Sequence, residues 1–282
     1  MNTSQPLDLT IVIPVKNEET RLQTCLQSIG KNLAKKIVVI DSLSTDRTKD
    51  VAISNQVEVL DFEWNGRFPK KRNWYLRNFT PATKWVMFLD ADEYLTNSFK
   101  SELRNELHKN LCTGYWLRYS IHFMGKRLKG GYPLRKLALF QVGAGEYEKI
   151  EEDHWSYLDM EIHEHPVING KTGHLHEKII HDDFQSVSDY VSKHVQYAEW
   201  EASRYLKRKS EGGETTNWTW KQKLKYRLMN SVWIGPLYFL GSFFLLGGFR
   251  DGRRGLAFAI LKMSYFNQVY CKIKEKEGIS SD

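Results

Sequence analysis

Residues 88–93 read Phe-Leu-Asp-Ala-Asp-Glu. Asp90 and Asp92 stand two apart, just past the apolar run Trp85–Leu89. Two carboxylates this close at the end of a buried strand stay ionised when a hard divalent cation lies between them and a diphosphate. Mg²⁺ or Mn²⁺ placed there acts as a Lewis acid on departing phosphate oxygens. The plainer reading of DADE is a helix N-terminus, where acids are favourable. Two more polar groups close similar apolar runs. Asp41 ends KIVVID (36–41) and leads into SLSTDRT. Its carboxylate suits a base imide N–H or a ribose hydroxyl, while Ser44, Thr45 and Asp46 equally suit a turn that caps a helix. Pro14 and Glu18, in PVKNE, close Leu9–Val15 at a place fit for a nucleoside.

The elements that must position these groups follow from periodicity. Leu9–Val15, Lys36–Asp41 and Trp85–Leu89 are apolar runs expected as buried parallel strands, and Val57–Phe62 is expected as a further short strand. Between them, Thr20–Gly30 places Leu22, Cys25, Leu26 and Ile29 at helical spacing, with Gly30 as the C-cap. A second helix is expected from about Thr45 or Asp46, a third over Lys70–Phe79 and a fourth over Asn97–Asn110. Alternating strands and helices predict an α/β doubly wound sheet over the first half, whose ligands bind beyond the carboxyl ends of the strands. Residues 113–185 alternate less regularly and are expected as antiparallel strands added to that sheet. Ser186–Arg208 reads as a helix, residues 209–218 as a linker, and 219–277 as two or more basic, aromatic-rich helices.

Composition limits the function classes. The chain of 282 residues is 41% hydrophobic and 27% charged, which excludes a disordered chain. Three scattered cysteines argue against a disulfide framework and fit a reducing compartment. MNTSQPLDLTIVIPV lacks the basic start of a signal peptide. Residues 201–282 carry a balance of +8, while residues 1–200 sit at −1. Such asymmetry points to an anionic partner, lipid or nucleic acid. The 17-residue stretch Trp233–Phe249 has no charge but is broken by Pro236 and four glycines, so a simple transmembrane helix is not favoured. Aromatics with flanking Lys and Arg around an apolar core fit helices lying in a bilayer interface; the other readings are a buried helical hairpin and a dimer contact.

IVIPVKNE, IVVIDSLSTDRT and WVMFLDADE, in this order and spacing, resemble glycosyltransferase family 2, which has the GT-A fold. FPKKRN (68–73), Ile162-His163-Glu164, Ile180-His181 and GFRDGRRGLAFA resemble the branch of lipopolysaccharide-core and exopolysaccharide glycosyltransferases. The resemblance implies a GT-A domain over residues 1–208, a Rossmann-like mixed sheet flanked by helices; the charge and aromatics of 209–282 make that remainder the expected helical membrane-associating region. The resemblance also implies that Asp41 contacts the nucleobase and that Pro14 and Glu18 line the nucleoside pocket. Lys71, Arg72 or Asn73 would hold the nucleotide, Asp90 would contact ribose or the metal, and Asp92 would ligate Mg²⁺ or Mn²⁺. Family members are typically inverting, so one carboxylate serves as general base. Relatives often carry it in a Glu-Asp or Asp-Asp pair, whereas EIHEHP offers Glu164, with Glu161 and Asp159 behind it. Six of nine histidines lie between 154 and 181, without H-x3-H or HExxH spacing for zinc; His181 is the one expected to complete the metal shell or meet phosphate. Lys70, Lys71 and Arg72 suit a diphosphate or an exposed helix start equally, and Arg135 and Lys136 suit a donor or acceptor phosphate or a solvated turn.

The expected activity is inverting transfer of a hexose from a nucleotide sugar, UDP-linked by preference, to a saccharide or lipid-linked acceptor of a bacterial surface polysaccharide. The expected setting is peripheral, at the cytoplasmic face of the inner membrane, with no nucleic acid as partner. A non-catalytic nucleic-acid-binding protein using the basic aromatic tail is the alternative from another class.

Overall fold

A computed structural model describes residues 5–150, 166–184, 186–211 and 220–279. The chain divides into two compact units, one of residues 1–120 and 134–183, the other of residues 121–133 and 184–282.

The first unit begins as the periodicity predicts. Strand β1 (Leu7–Val15) is followed by α1 (Glu19–Ile29), β2 (Ala34–Asp41), α2 (Thr48–Ser54), β3 (Glu58–Asp61), α3 (Lys71–Phe79) and β4 (Trp85–Phe88). β1 lies between β2 and β4 and is parallel to both. Residues 9–13 of β1 are all buried because the strand is covered on both faces, which is why it reads as an unbroken apolar run. Thr10, the polar member, is satisfied by Thr83, 2.7 Å away between hydroxyl oxygens. α1 buries Leu22, Cys25, Leu26 and Ile29, and Gly30 caps it at φ +77°, its N–H donating to the Leu26 carbonyl.

After β4 the sheet turns antiparallel. The two-residue strand β5 (Glu93–Tyr94) leads into α4 (Asn97–Lys109), whose N-cap Thr96 accepts from Phe99 N–H. Then come β6 (Gly114–Phe123), β7 (Lys126–Arg127), β8 (Arg135–Gln141), β9 (Gly145–Tyr147), β10 (Pro166–Ile168) and β11 (Thr172–Phe184). The sheet order is β3-β2-β1-β4-β8-β6-β11-β5, with β7 paired to β6, and β9 and β10 form a separate ribbon. β8 runs antiparallel to β4 and to β6, as expected for residues 113–185.

One alternative reading falls away and one local expectation changes. DADE is not a helix start: Glu93 N–H donates to the Asp90 carbonyl at 3.0 Å in a turn that feeds β5. α2 starts at Thr48, later than Thr45 or Asp46, because the intervening residues are spent on a clamp between two loops. Asn17 N–H donates to Ser44 Oγ, Glu18 N–H to Thr48 Oγ1, and Thr45 N–H to Asn17 Oδ1, at 2.8–2.9 Å. Asp46 accepts from the N–H groups of Thr48 and Glu19.

The second unit is helical, with α5 (Val187–Ser210), α6 (Trp220–Met229), α7 (Ile234–Leu240) and α8 (Gly252–Ile279). Ala198 and Ala202 of α5 pack with Met229, Ile234, Phe266, Val269 and Ile273 in one apolar core. The sequence places a boundary at 208; by packing, α5 and the hairpin of residues 121–133 group with the later helices. The reason is side-chain burial: the small residues of α5 let α8 approach, and Phe123 lies edge-on to Phe258 at 5.3 Å. The apolar stretch 233–249 is broken into α7, a π-helical turn (Gly241–Leu245) and a 3₁₀ turn (Gly248–Asp251). Among the described residues, no helix is long and apolar enough to cross a membrane.

The loop clamp predicts an acid limb in stability. Burial would raise the Asp46 carboxyl, but hydrogen bonds from Thr48 and Glu19 outweigh it and hold the group below its ordinary value. A depressed folded-state value stabilises above the unfolded value and is lost as pH falls through the folded one. Asp46→Asn should therefore be less stable than wild type above about pH 5, with the difference closing below about pH 3. Urea denaturation at a series of pH values measures it.

Candidate functional site

β2, β1 and β4 are adjacent and parallel, so their carboxyl ends share one sheet edge. Asp41 closes β2 and Asp90 follows β4 with only β1 between them, which sets the two strand tips about 10 Å apart. Asp41 is fully buried. Its Oδ2 accepts from Ser44 N–H at 2.9 Å, and Lys49 Nζ lies 3.8 Å away. Its Oδ1 is buried with no hydrogen-bond partner among the described residues. A buried acceptor of this kind is costly unless something donates to it. Pro14 and Val15 lie opposite Ile40 and Asp41 in the ladder, and Lys71 Nζ comes within 3.5 Å of the Val15 carbonyl. Glu18 pairs with Arg21 at 3.3 Å.

The acidic turn after β4 is held by cations. Arg72 Nη2 donates to Asp90 Oδ1 at 2.7 Å, and Lys136 Nζ donates to Asp90 Oδ2 and Glu93 Oε1, each at 2.6 Å. Glu93 Oε2 accepts from Asp90 N–H at 3.2 Å and lies 3.5 Å from the Tyr119 hydroxyl. Burial alone would raise the Asp90 carboxyl, but Lys136 and Arg72 outweigh it and hold it well below the usual carboxylate range. Burial would lower the Lys136 ammonium, yet Asp90 and Glu93 hold it well above its ordinary value. Burial pushes the Glu93 carboxyl up to about 8, against the pull of Lys136 and with the repulsion of Asp90 and Asp92. Asp90 thus stays an acceptor-only anion at the sheet edge.

The pairing of β11 with β5 sets His181 opposite Glu93. Asp182 N–H donates to the Asp92 carbonyl at 2.9 Å, which closes the acidic turn onto β11. His181 Nε2 lies 3.9 Å from Asp92 Oδ1. One donor atom from each of Asp92, Glu93 and His181 falls within 4.8 Å of the other two, and all three residues are buried. Two carboxylates and an imidazole in this span fit a divalent cation, since octahedral ligands at metal–oxygen distances near 2.1 Å lie about 3–4 Å apart.

A family model described as "Glycosyl transferase family 2" matches residues 10–157, more than half of the chain. The chain belongs to glycosyl transferase family 2. An uncharacterised glycosyltransferase of Rickettsia conorii is 25% identical over 100% of this chain and 97% of its own length. The SPbeta prophage-derived glycosyltransferase SunS of Bacillus subtilis is 33% identical over 34% of this chain and 22% of its own. Among solved structures, TarS 1-349 of S. aureus in complex with UDP-GlcNAc covers 95% of this chain and 92% of that one, at 14% identity and TM-score 0.45. Glucosyl-3-phosphoglycerate synthase of Mycobacterium tuberculosis, with Mn²⁺, UDP and glucosyl-3-phosphoglycerate, covers 42% and 44%, at 22% identity and TM-score 0.32.

For this family 2 glycosyltransferase, the mixed sheet and the helical C-terminal region agree with the expected GT-A architecture, and a non-catalytic nucleic-acid-binding protein is set aside. The predicted residues Pro14, Glu18, Asp41, Lys71, Arg72, Asp90, Asp92 and His181 all belong to the first unit. Asn73 has a scaffolding contact: its amide donates to the Tyr147 carbonyl and accepts from the Tyr147 N–H, at 2.9 and 2.8 Å. Asp90 is tied to Arg72 and Lys136, and Glu93 takes its place in the three-residue cluster. Glu164, with Glu161 and Asp159, lies outside the described residues. The histidines separate by strand parity: His174 stacks on Trp116 and His176 bonds through its backbone to Glu102, while His181 has the opposite parity. Sequence reasoning missed the tie from Lys136 to Asp90 and Glu93, and Tyr119 altogether. Both come from antiparallel strands far from DADE in sequence, and only the alternation of LRKLALF hinted that Lys136 faces the site.

Removing Lys136 should expose the cost of this packing. Lys136→Met leaves Asp90 and Glu93 without their shared ammonium and should cost about 3 kcal/mol in urea denaturation. Adding Glu93→Gln should restore part of that loss. An unchanged midpoint for the single variant would show that the cluster does not depend on the lysine.

Proposed function

We propose that this family 2 glycosyltransferase moves a hexose from a nucleoside diphosphate sugar, UDP-linked by preference, with inversion at the anomeric carbon. The observation that carries the reading is the shared sheet edge: a buried, unsatisfied Asp41 oxygen at the β2 tip and the Asp92, Glu93 and His181 donors beyond β4, one strand removed. In this reading Asp41 accepts from the base, between Pro14 and Glu18. Asp90, kept ionised by Arg72 and Lys136, accepts from a ribose hydroxyl. Lys71 and Arg72 put positive charge beside the diphosphate.

Asp92 and His181, with Glu93, would hold Mg²⁺ or Mn²⁺, which when bound neutralises charge on the departing diphosphate. Glu164 takes the proton of the acceptor hydroxyl as that oxygen bonds to the anomeric carbon. The bond from the anomeric carbon to the diphosphate oxygen breaks on the opposite face, and nucleoside diphosphate leaves with the electron pair. Single displacement from opposite faces yields inversion.

The acceptor in this proposal is a saccharide or lipid-linked sugar in bacterial lipopolysaccharide or exopolysaccharide assembly. The protein is assigned to the cytoplasmic face of the inner membrane as a peripheral protein. The charge asymmetry supports this, because the excess of +8 in residues 201–282 suits an anionic leaflet.

A donor panel tests the chemistry. With Mn²⁺ and a set of nucleotide sugars, nucleotide release should be selective for one UDP-sugar, should vanish in EDTA and should return with Mn²⁺ or Mg²⁺. Asp92→Asn should lower turnover by at least about 100-fold; near-normal turnover would refute the metal assignment. Glu164→Gln should lower kcat by about 100-fold or more while leaving the donor KM nearly unchanged. A KM effect with intact kcat would move the base to Glu161 or Asp159.

A further inference from the structure

The elbow between α7 and α8 is an exposed apolar knob inside the second unit. Leu237, Leu240 and Phe244 follow three-to-four spacing along one helical run and are exposed. Leu245, Leu246 and Phe249 continue the surface around the turn, with Leu245 87% exposed. Leaving this many large apolar side chains in water is unfavourable, and a patch of this kind marks a contact surface.

The backbone of the knob is packed against the hairpin of residues 121–133. Gly131 N–H donates to the Leu246 carbonyl at 2.8 Å, and Ser242 Oγ donates to the Gly131 carbonyl at 2.9 Å. A side chain at Gly130 would run into the Gly247 and Leu246 backbone, and one at Gly255 into the Gly248 carbonyl. Gly130, Gly248 and Gly255 are therefore needed for close packing, whereas Gly247 and Gly252 sit at positive φ.

Charge completes the picture. Residues 121–133 and 241–262 together hold seven Lys and Arg against one acid, Asp251. That acid is turned to structural use, since its carboxylate accepts from the N–H groups of Lys129 and Gly130 at 2.9–3.1 Å. Lys126, Arg127, Lys129, Arg250 and Arg253 are all exposed. The hairpin thus brings basic residues from the middle of the chain to the apolar elbow.

We infer that the elbow and the 121–133 hairpin form one lipid-docking device: the apolar tip enters the interface of an anionic bilayer, and the basic side chains engage its headgroups. An apolar tip with a basic collar matches the layered chemistry of such a surface. Each basic residue near an anionic leaflet gives roughly a fivefold gain in partitioning, so the collar supplies selectivity for acidic lipid. With no spanning helix among the described residues, the device lies on the bilayer. This rests on the membrane part of the proposed function and is independent of the donor chemistry.

Vesicle sedimentation of the full chain tests it, with phosphatidylcholine vesicles alone or with added phosphatidylglycerol. Wild type should pellet with the anionic vesicles and be released by salt. Leu245→Asp should weaken partitioning by about tenfold or more without changing Tm, because the side chain is exposed. The hairpin variant Lys126→Gln/Arg127→Gln should weaken anionic binding and flatten its salt dependence. Three results would each overturn the inference: wild type staying in the supernatant with both vesicle types, Leu245→Asp pelleting like wild type, or wild type sedimenting as a dimer that Leu245→Asp dissociates. Donor cleavage measured in parallel without vesicles keeps a failure of docking distinct from a failure of the catalytic reading.

Discussion

Three carboxylates within four residues must coexist at the buried end of a strand, and the first unit is arranged around that constraint. Like charges about 4 Å apart repel by roughly 4 kcal/mol at an effective dielectric near 20. Lys136 bridges Asp90 and Glu93, and Arg72 takes the other Asp90 oxygen. These two cations leave the Asp92 side chain as the acid directed to His181. The balance also explains why Asp90 and Glu93 titrate in opposite directions although they share one ammonium: Asp90 has two cationic partners, whereas Glu93 is more deeply buried and has one.

The fold supplies those partners from three directions. α3 brings Arg72, β8 brings Lys136 and β11 brings His181. The parallel half of the sheet provides the edge where the acids and Asp41 meet. The antiparallel half provides Lys136 and the imidazole. The clamp between the loops after β1 and β2 performs the same service at the β2 tip, where Asn17 bonds to Ser44 and Thr45, Thr48 bonds to Glu18 and Asp46, and Ser44 N–H donates to Asp41.

Much of this was legible in the residues. The parallel strands announce themselves because burial on both faces forces continuous apolar runs, as in LTIVIPV and WVMF. α1 and α4 are equally plain, since Leu22, Cys25, Leu26 and Ile29, or Phe99, Leu103 and Leu107, keep helical spacing next to clear caps. The later strands were harder. β6 and β11 are long and mixed in polarity, and short β5 and β7 carry no periodicity of their own. The family resemblance of FPKKRN implies Asn73 as a nucleotide contact; its bonds to the Tyr147 backbone depend on a ribbon remote in sequence.

The sequence alone determined the order of elements, the family and the acids at the strand ends, because each is written in local spacing and in short motifs. Tertiary structure decided which cations neutralise those acids, that His181 rather than His174 or His176 stands beside Asp92, and that a mid-chain basic hairpin sits against the apolar elbow. These are contacts between segments tens of residues apart, set by strand pairing and side-chain burial, and no local pattern encodes them.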